Sequence, residues 1–492
     1  MKTRLINNRL IIYFLLILPI LISFFEGINN DLFIPNSESI LAWESWFYSS
    51  GLSMYYFGNE SYLSSNPSIF LLILSNLGTY SKSDLFLKID FPHINPKLAS
   101  TDWSIFDSFG IRLEAEQVYI DYVDHGMSIF NFLAFKTFGP LVGAPYLFLY
   151  LLILVSVTIT FVQVKKKIVL MELSFVITCF FIASTIFLQY SESHVFSPIT
   201  YRFIGIVGLF PLIYLFNLKN IVNISNINLY FWGSLQVCIL FLVVIAHSQS
   251  FWQVIILLFF LTLYKVIFLA QNKQIIMLLC SIVFLISLIL IFTSTVPSNS
   301  NQVKSRLIWH SIFMGLNALP ERQIDGISLG RERGVYEDWN AFNVGYREIP
   351  ENGTWKYIFG NTREYEKSLK STVFHIIQNH PFVFFKAFFF KLLQFANMLW
   401  NFILNFVLKD IRTVIITLYA LLFIYISNHT SRLNLTEFHL FTLSSLLLST
   451  LVVTFITYPQ TSNTIQSISI VLTYIIFNSL YFTFRIFGRK NA

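Results

Sequence analysis

Charge is what this chain has least of. Asp, Glu, Lys and Arg make up 12% of its 492 residues, against 55% hydrophobic ones, a balance outside the soluble globular range. Cysteine is almost absent as well: Cys179, Cys238 and Cys280 each sit inside an apolar stretch. No disulfide framework or Cys-rich zinc site can be built from them, and burial in packed helix is their plain reading. No phosphate-cradling Gly-rich loop, His-Glu-x-x-His helix or Gly-x-Ser-x-Gly elbow occurs, so the signatures of nucleotide, zinc-protease and serine-hydrolase chemistry are missing. Strict period-2 alternation is missing too, which argues against a transmembrane barrel. No repeat relates the two halves, which weakens an inverted-repeat transporter.

What remains is apolar helix. Runs of about 18–22 residues recur, long enough to cross a hydrocarbon core of roughly 30 Å. The expected spans lie near 10–25, 141–163, 168–189, 197–217, 229–247, 252–270, 275–295, 411–427, 438–457 and 466–484. Residues 382–408 place Gln394, Asn397, Asn401 and Asn405 on one helical face. As a surface helix this segment leaves ten spans; as a span with a polar seam it makes eleven. The fold class is an all-α polytopic membrane protein with about 10–11 transmembrane helices and two outward-facing folded segments.

The acids are concentrated. Of 26 Asp and Glu, 22 fall in residues 26–140 and 297–380, with thirteen acids against five Lys/Arg in the first segment and nine against ten in the second. Six spans separate them, an even number, so both lie on one face of the membrane. Lys2, Arg4 and Arg9 precede the first span, Lys165, Lys166 and Lys167 follow the second, and Arg485, Arg489 and Lys490 close the chain. The positive-inside rule then puts the N-terminus in the cytoplasm and both acidic segments outside, and it favours ten spans. The net charge of +7 is thus a topology signal and not a nucleic-acid face. No small-residue cleavage site follows residues 10–25, which read as a retained anchor.

The expected organisation is residues 1–25 as anchor, 26–140 as first outer loop and 141–296 as a six-helix block. A second outer segment at 297–381 follows, then 382–492 with the interfacial or polar-seam helix and the last spans. In the first loop, 69–77 is too short to span, and 127–138 looks like an interfacial helix stopped by Gly139-Pro140. From about 362 a helix carries Tyr365, Leu369, Val373 and Ile377 on one face, and Pro381 ends it. Lys265 and Arg202 are the plausible charges within spans.

Several residues could carry chemistry. Glu26 ends the first span and Asp31 follows it. Partial desolvation at a lipid–water boundary makes a carboxylate a better base, suited to an acceptor hydroxyl; a solvated stop at the helix end is the plain alternative. Asp121, Asp124 and His125 are weak candidates for a divalent metal, the only cofactor the sequence suggests, or simply a solvated face. Arg202 lies a few residues inside a span, where a cation needs a partner such as Glu192 or a lipid phosphate; His194 is close by in sequence. In the second segment, Trp309, His310, Arg331, Arg333 and Asp338 mix aromatics with charge, as a carbohydrate wall does. A folded outer domain would show the same composition.

A first span, a long outer loop with an acid at its start, interfacial helices and a further outer segment together resemble the GT-C class of membrane glycosyltransferases. The run from Tyr365 to Pro381 into an apolar helix is similar to the end of the outer domain in bacterial members. The resemblance implies transfer of a sugar from a polyprenyl-phosphate carrier to a glycan or lipid acceptor outside the bacterial inner membrane. It implies Glu26 or Asp31 as the acidic residue and Arg202 or His194 at the donor phosphate. The adjacent Asp-Glu pair of the protein mannosyltransferase branch is missing. An O-antigen-type polymerase or ligase is an alternative, which the 115-residue first loop opposes. A transporter or flippase of envelope glycolipids is the non-enzymatic one.

Overall fold

A computed structural model of the chain describes residues 2–29, 48, 51–52, 54–56, 85–88, 125–163, 167–191, 205–217, 226–246, 282–289, 308–330, 340–341, 344–345, 362–406 and 468–479. Among these, helix dominates. In order come α1 (Lys2–Asn29), α2 (His125–Phe138), α3 (Ala144–Gln163), α4 (Lys167–Ser191), α5 (Leu209–Phe216) and α6 (Asn226–Ala246). They are followed by α7 (Ile308–Gly315), a hairpin of β1 (Gln323–Ile324) and β2 (Ile327–Ser328), α8 (Thr362–Asn379) and α9 (Val383–Phe406). Residues Ile468–Ser479 form α10. Among the described residues, four helical stretches are long and apolar enough to cross a membrane: Leu10–Asn29, Ala144–Gln163, Val169–Ile186 and Val383–Asn401.

Two hydrophobic cores organise the described residues. The larger, in the bundle, joins α1 to α6 and α10 through residues such as Leu16, Ile20, Phe130, Tyr146, Phe180, Phe210, Val243 and Phe477. The smaller gathers Phe313, Leu316, Leu329, Tyr365, Leu369, Val373 and Val383. Polar links cross the bundle where apolar packing alone sets no register. Tyr13 and Thr158 hydroxyls lie 2.7 Å apart, Ser156 donates to Gln236 at 2.6 Å, and Tyr214 donates to Gln163 at 2.6 Å.

Local sequence explains the element ends. After α2, Gly139 adopts a left-handed φ of 81° and Pro140 forbids continuation, a glycine–proline stop. Gly126 presses α2 onto α6 so closely that a Cβ there would fall 1.9 Å from the Ile245 carbonyl oxygen. Residues 85–88 of the first loop run beside the start of α3: Val142 N–H donates to Leu87 at 3.0 Å and Gly143 N–H to Leu85 at 2.9 Å. Tyr48 also donates to the Val142 carbonyl at 2.8 Å. The first loop therefore fixes where α3 begins. In the hairpin, Asp325 and Gly326 both have positive φ, 52° and 77°, the turn chemistry that a two-residue hairpin requires.

The helix expected at 127–138 occupies His125–Phe138. The one expected from 362 occupies Thr362–Asn379, with Tyr365, Leu369 and Val373 buried as the spacing requires. Ile376 joins them fully buried in place of the half-buried Ile377. The apolar stretch at 69–77 and the spans expected at 252–270, 411–427 and 438–457 lie outside the described residues.

Candidate functional site

The end of α1 is built around Glu26. The residue is half-buried in the last turn of the helix, where the macrodipole is negative and a carboxylate is electrostatically disfavoured. Two tyrosines one turn apart on α3 hold that turn. Tyr146 donates to the Phe24 carbonyl at 2.7 Å, and its ring stacks on Phe24 with centroids 5.3 Å apart. Tyr150 lies 2.9 Å from the Ser23 hydroxyl. Ser23 in turn donates to Ser184 on α4 at 2.8 Å, and Ser184 to the Phe180 carbonyl at 2.6 Å. Each hydroxyl has one hydrogen, so the chain runs from Tyr150 to Ser23 to Ser184 to backbone.

The Glu26 carboxylate lies within electrostatic reach of both phenols. Tyr146 is directed at the Phe24 carbonyl and Tyr150 at Ser23, so both position the last turn of α1. Gly27 makes the approach possible, since a Cβ there would fall 2.1 Å from the Tyr146 hydroxyl. Thr185, beside Ser184, is fully buried and its hydroxyl has no hydrogen-bond partner among the described residues. The corner thus holds a carboxylate over a buried polar network drawn from three helices.

The second nominated region is organised differently. Glu366 on α8 accepts the backbone N–H groups of Trp309 at 2.9 Å and His310 at 3.1 Å, capping the start of α7 with a negative charge at its positive end. His310 Nδ1 lies 2.6 Å from the Tyr365 hydroxyl, and both residues are buried. Trp309 packs on Phe374 at 5.4 Å, and the Lys370 ammonium stands 5.7 Å from the indole centroid. The backbone N–H groups of Trp309 and His310 and the His310 Nδ1 thus join α7 to α8.

A third cluster lies at the hairpin turn. Asp325 accepts from Asn379 at 2.9 Å and from His380 at 3.1 Å, and His375 Nε2 is 4.0 Å away. The hydrogen bonds from Asn379 and then His380 hold the Asp325 carboxyl below its ordinary range. Beyond the corner at Pro381, Lys386 pairs with Glu321.

The structure thus brings Glu26 onto Tyr146 and Tyr150, and Trp309 and His310 onto Tyr365 and Glu366. It does not bring the two groups into one core. Asp31, Asp121, Asp124, His194, Arg202, Arg331, Arg333 and Asp338 lie outside the described residues, and His125 is described only as the first residue of α2. Among the described residues no group of three or more His, Cys, Asp or Glu is arranged to hold a metal. Sequence reasoning missed Tyr146, Tyr150 and Gly27, although a Tyr-x-x-x-Tyr step at a helix start was visible. It also missed Glu172, buried in α4 and accepting a 2.6 Å hydrogen bond from Asn217. Glu172 was legible as one of four acids outside the two acidic segments, and it adds to Lys265 and Arg202 as a charge within an apolar span. Set against protein-family models, curated proteins and solved structures, the chain matches none.

Proposed function

We propose that the chain is an integral-membrane glycosyltransferase of the bacterial inner membrane. It moves a sugar from a polyprenyl-phosphate carrier to a glycan or lipid acceptor on the outer face. Glu26 is the general base that removes the acceptor proton, with Asp31 as its neighbour in the same loop. The observation that carries this reading is the placing of Glu26. A carboxylate is set at the disfavoured end of a helix, and a glycine, two tyrosines and two serines from three helices support the turn that holds it. Carboxylates placed for stability sit at helix N-termini instead, and an unfavourable placing with a built support is a mark of function.

In this reading the donor stays in the membrane, so the transferase needs no nucleotide site. The base accepts the acceptor's hydroxyl proton as the new glycosidic bond forms, and the carrier phosphate leaves. Arg202 and His194 contact that phosphate, and Arg331, Arg333 and Asp338 supply the wall for acceptor or donor sugars.

The test is a chromosomal Glu26→Gln variant, with the lipid-linked sugars and surface glycans compared by mass spectrometry with those of the parent and of a deletion strain. The expected result is one missing sugar and an accumulating monosaccharide-phosphate lipid, with the variant protein still present in the membrane. Unchanged glycans in Glu26→Gln and Asp31→Asn alike would remove the catalytic assignment. Complete but unpolymerised repeat units would point to the polymerase or ligase class.

A further inference from the structure

We propose that α9 crosses the bilayer, with an aromatic stripe packed directly against lipid acyl chains, so that it is an additional span between the second outer segment and the C-terminal helices. Phe382, Phe385, Phe389, Leu393 and Trp400 are all exposed, from 44% for Leu393 to 79% for Phe382. Their spacing keeps them on one side of the helix. From Phe382 to Trp400 the stripe runs about 27 Å at 1.5 Å per residue, close to the roughly 30 Å of a hydrocarbon core.

The opposite side is covered by protein, and the two cores take it in turn. Val383 and Ala387, in the first turns, belong to the small core with Tyr365 and Phe313. Phe395, Met398 and Leu399, further along, pack on the bundle core with the crossing helices. The helix therefore leaves the core of the segment that the sequence places outside and runs into the core of the bundle. An amphipathic helix lying on the surface turns its polar side to water. Here the side away from the stripe is buried.

The charges follow the same division. Lys386, in the first turn, is paired with Glu321. The one charged residue from 387 to 408 is Lys391, which is 1% exposed. It stands nine residues from both Phe382 and Trp400, two and a half turns, so it faces protein and not the stripe. A charge inside a span is expected on its protein-facing side. Asn397 and Asn401 flank the stripe as exposed amides, where a neighbouring helix can pair with them. The occupant of the stripe is the acyl region of the bilayer, because its length matches that layer and its covered side continues the bundle core.

A crossing α9 makes eleven spans with those expected from the sequence, and it moves Arg485, Arg489 and Lys490 to the outer face against the positive-inside expectation. That makes the proposal open to a direct test. Spin labels would be placed one at a time at Phe382, Phe385, Phe389, Leu393 and Trp400, in full-length protein whose three native cysteines are replaced, reconstituted in bilayer nanodiscs. The preference for oxygen over a water-soluble nickel complex should rise severalfold from Phe382 to Leu393 and fall again at Trp400. A single shallow depth along the whole stripe would mean a helix lying on the surface and would overturn the proposal. Nickel-favoured labels, or labels shielded from both reagents, would overturn it as well, the second by showing a protein partner. A reporter fused to the C-terminus of the unaltered chain gives an independent reading: outside is expected, and a cytoplasmic reporter would overturn it. None of these readouts depends on the transferase assignment.

Discussion

Two glutamates at two helix ends separate the parts of this molecule. Glu366 sits at the N-terminus of α7, accepts two backbone N–H groups there and is buried. Its charge meets the positive end of the helix, and its oxygens meet donors that would otherwise lack an intrahelical acceptor. Glu26 sits in the last turn of α1, at the negative end, where Tyr146 and Tyr150 hold the turn in place. The first arrangement stabilises a fold. The second keeps a charge where stability alone would not put it, which is why the bundle corner and not the aromatic α7–α8 contact is the better candidate for chemistry.

Substituting the two glutamates should separate their roles. On the proposed transferase reading, Glu26→Gln should lower sugar transfer by ~10²–10⁴-fold, the usual contribution of a positioned base, while thermal unfolding in detergent stays close to the parent. Glu366→Gln should do the reverse. It removes the charge from a capping carboxylate and weakens the pairing of two backbone donors, costing about 1–3 kcal/mol, and any loss of transfer should track the loss of folded protein. Equal stability losses in both variants, with activity falling only in proportion, would collapse the distinction.

Gly27→Ala sharpens it next. The added Cβ meets the Tyr146 hydroxyl, and relief requires either the ring or the end of α1 to shift, at a cost of about 1–3 kcal/mol. Because the shift displaces Glu26, transfer should fall further than the unfolded fraction explains. A smaller effect is expected for Tyr150→Phe, which removes the donor at the head of the hydroxyl chain and leaves Ser23 and Ser184 to rearrange. That should cost about 1 kcal/mol, read as a shift in the unfolding midpoint. No shift would mean that the chain does not hold the corner.

Much of the fold around these two glutamates is legible in the amino-acid sequence itself. Apolar length places helices near 141–163, 168–189 and 229–247, and they occupy Ala144–Gln163, Lys167–Ser191 and Asn226–Ala246, because lipid-length apolar runs have few alternatives to helix. Gly139-Pro140 marks the stop after α2 for a local steric reason. The pairing of α3 with residues 85–88 is not legible, since contacts across more than fifty residues leave no periodic trace. Nor is the fate of His310: the sequence nominates it as polar among aromatics, but only packing shows Tyr365 and Glu366 joining it to α8. Glu26 stands out because a charge at the edge of an apolar run is conspicuous. Its support does not, because Gly27 and Tyr146 lie far apart in sequence.

The smallest effect belongs to the hairpin that straps the small core, and its sign can be worked out. Asn379 and His380 hold the Asp325 carboxyl below its ordinary range, so the folded state favours the ionised form. The stability this adds is fully present above the ordinary Asp range, near pH 4, and is lost as pH falls through the lower folded value. Between pH 7 and pH 5 the carboxylate stays ionised, so this contribution is constant there. Asn379 Nδ2 also stands 3.2 Å from His375 Nε2. Hydrogen exchange at Gln323–Ser328, corrected for intrinsic rates, should therefore stay level from pH 7 to pH 5 and quicken below pH 4. Asp325→Asn should abolish the quickening below pH 4. If the variant keeps the pH profile, the hairpin is gripped by something other than this carboxylate, and proton sensitivity no longer distinguishes the small core from the bundle corner.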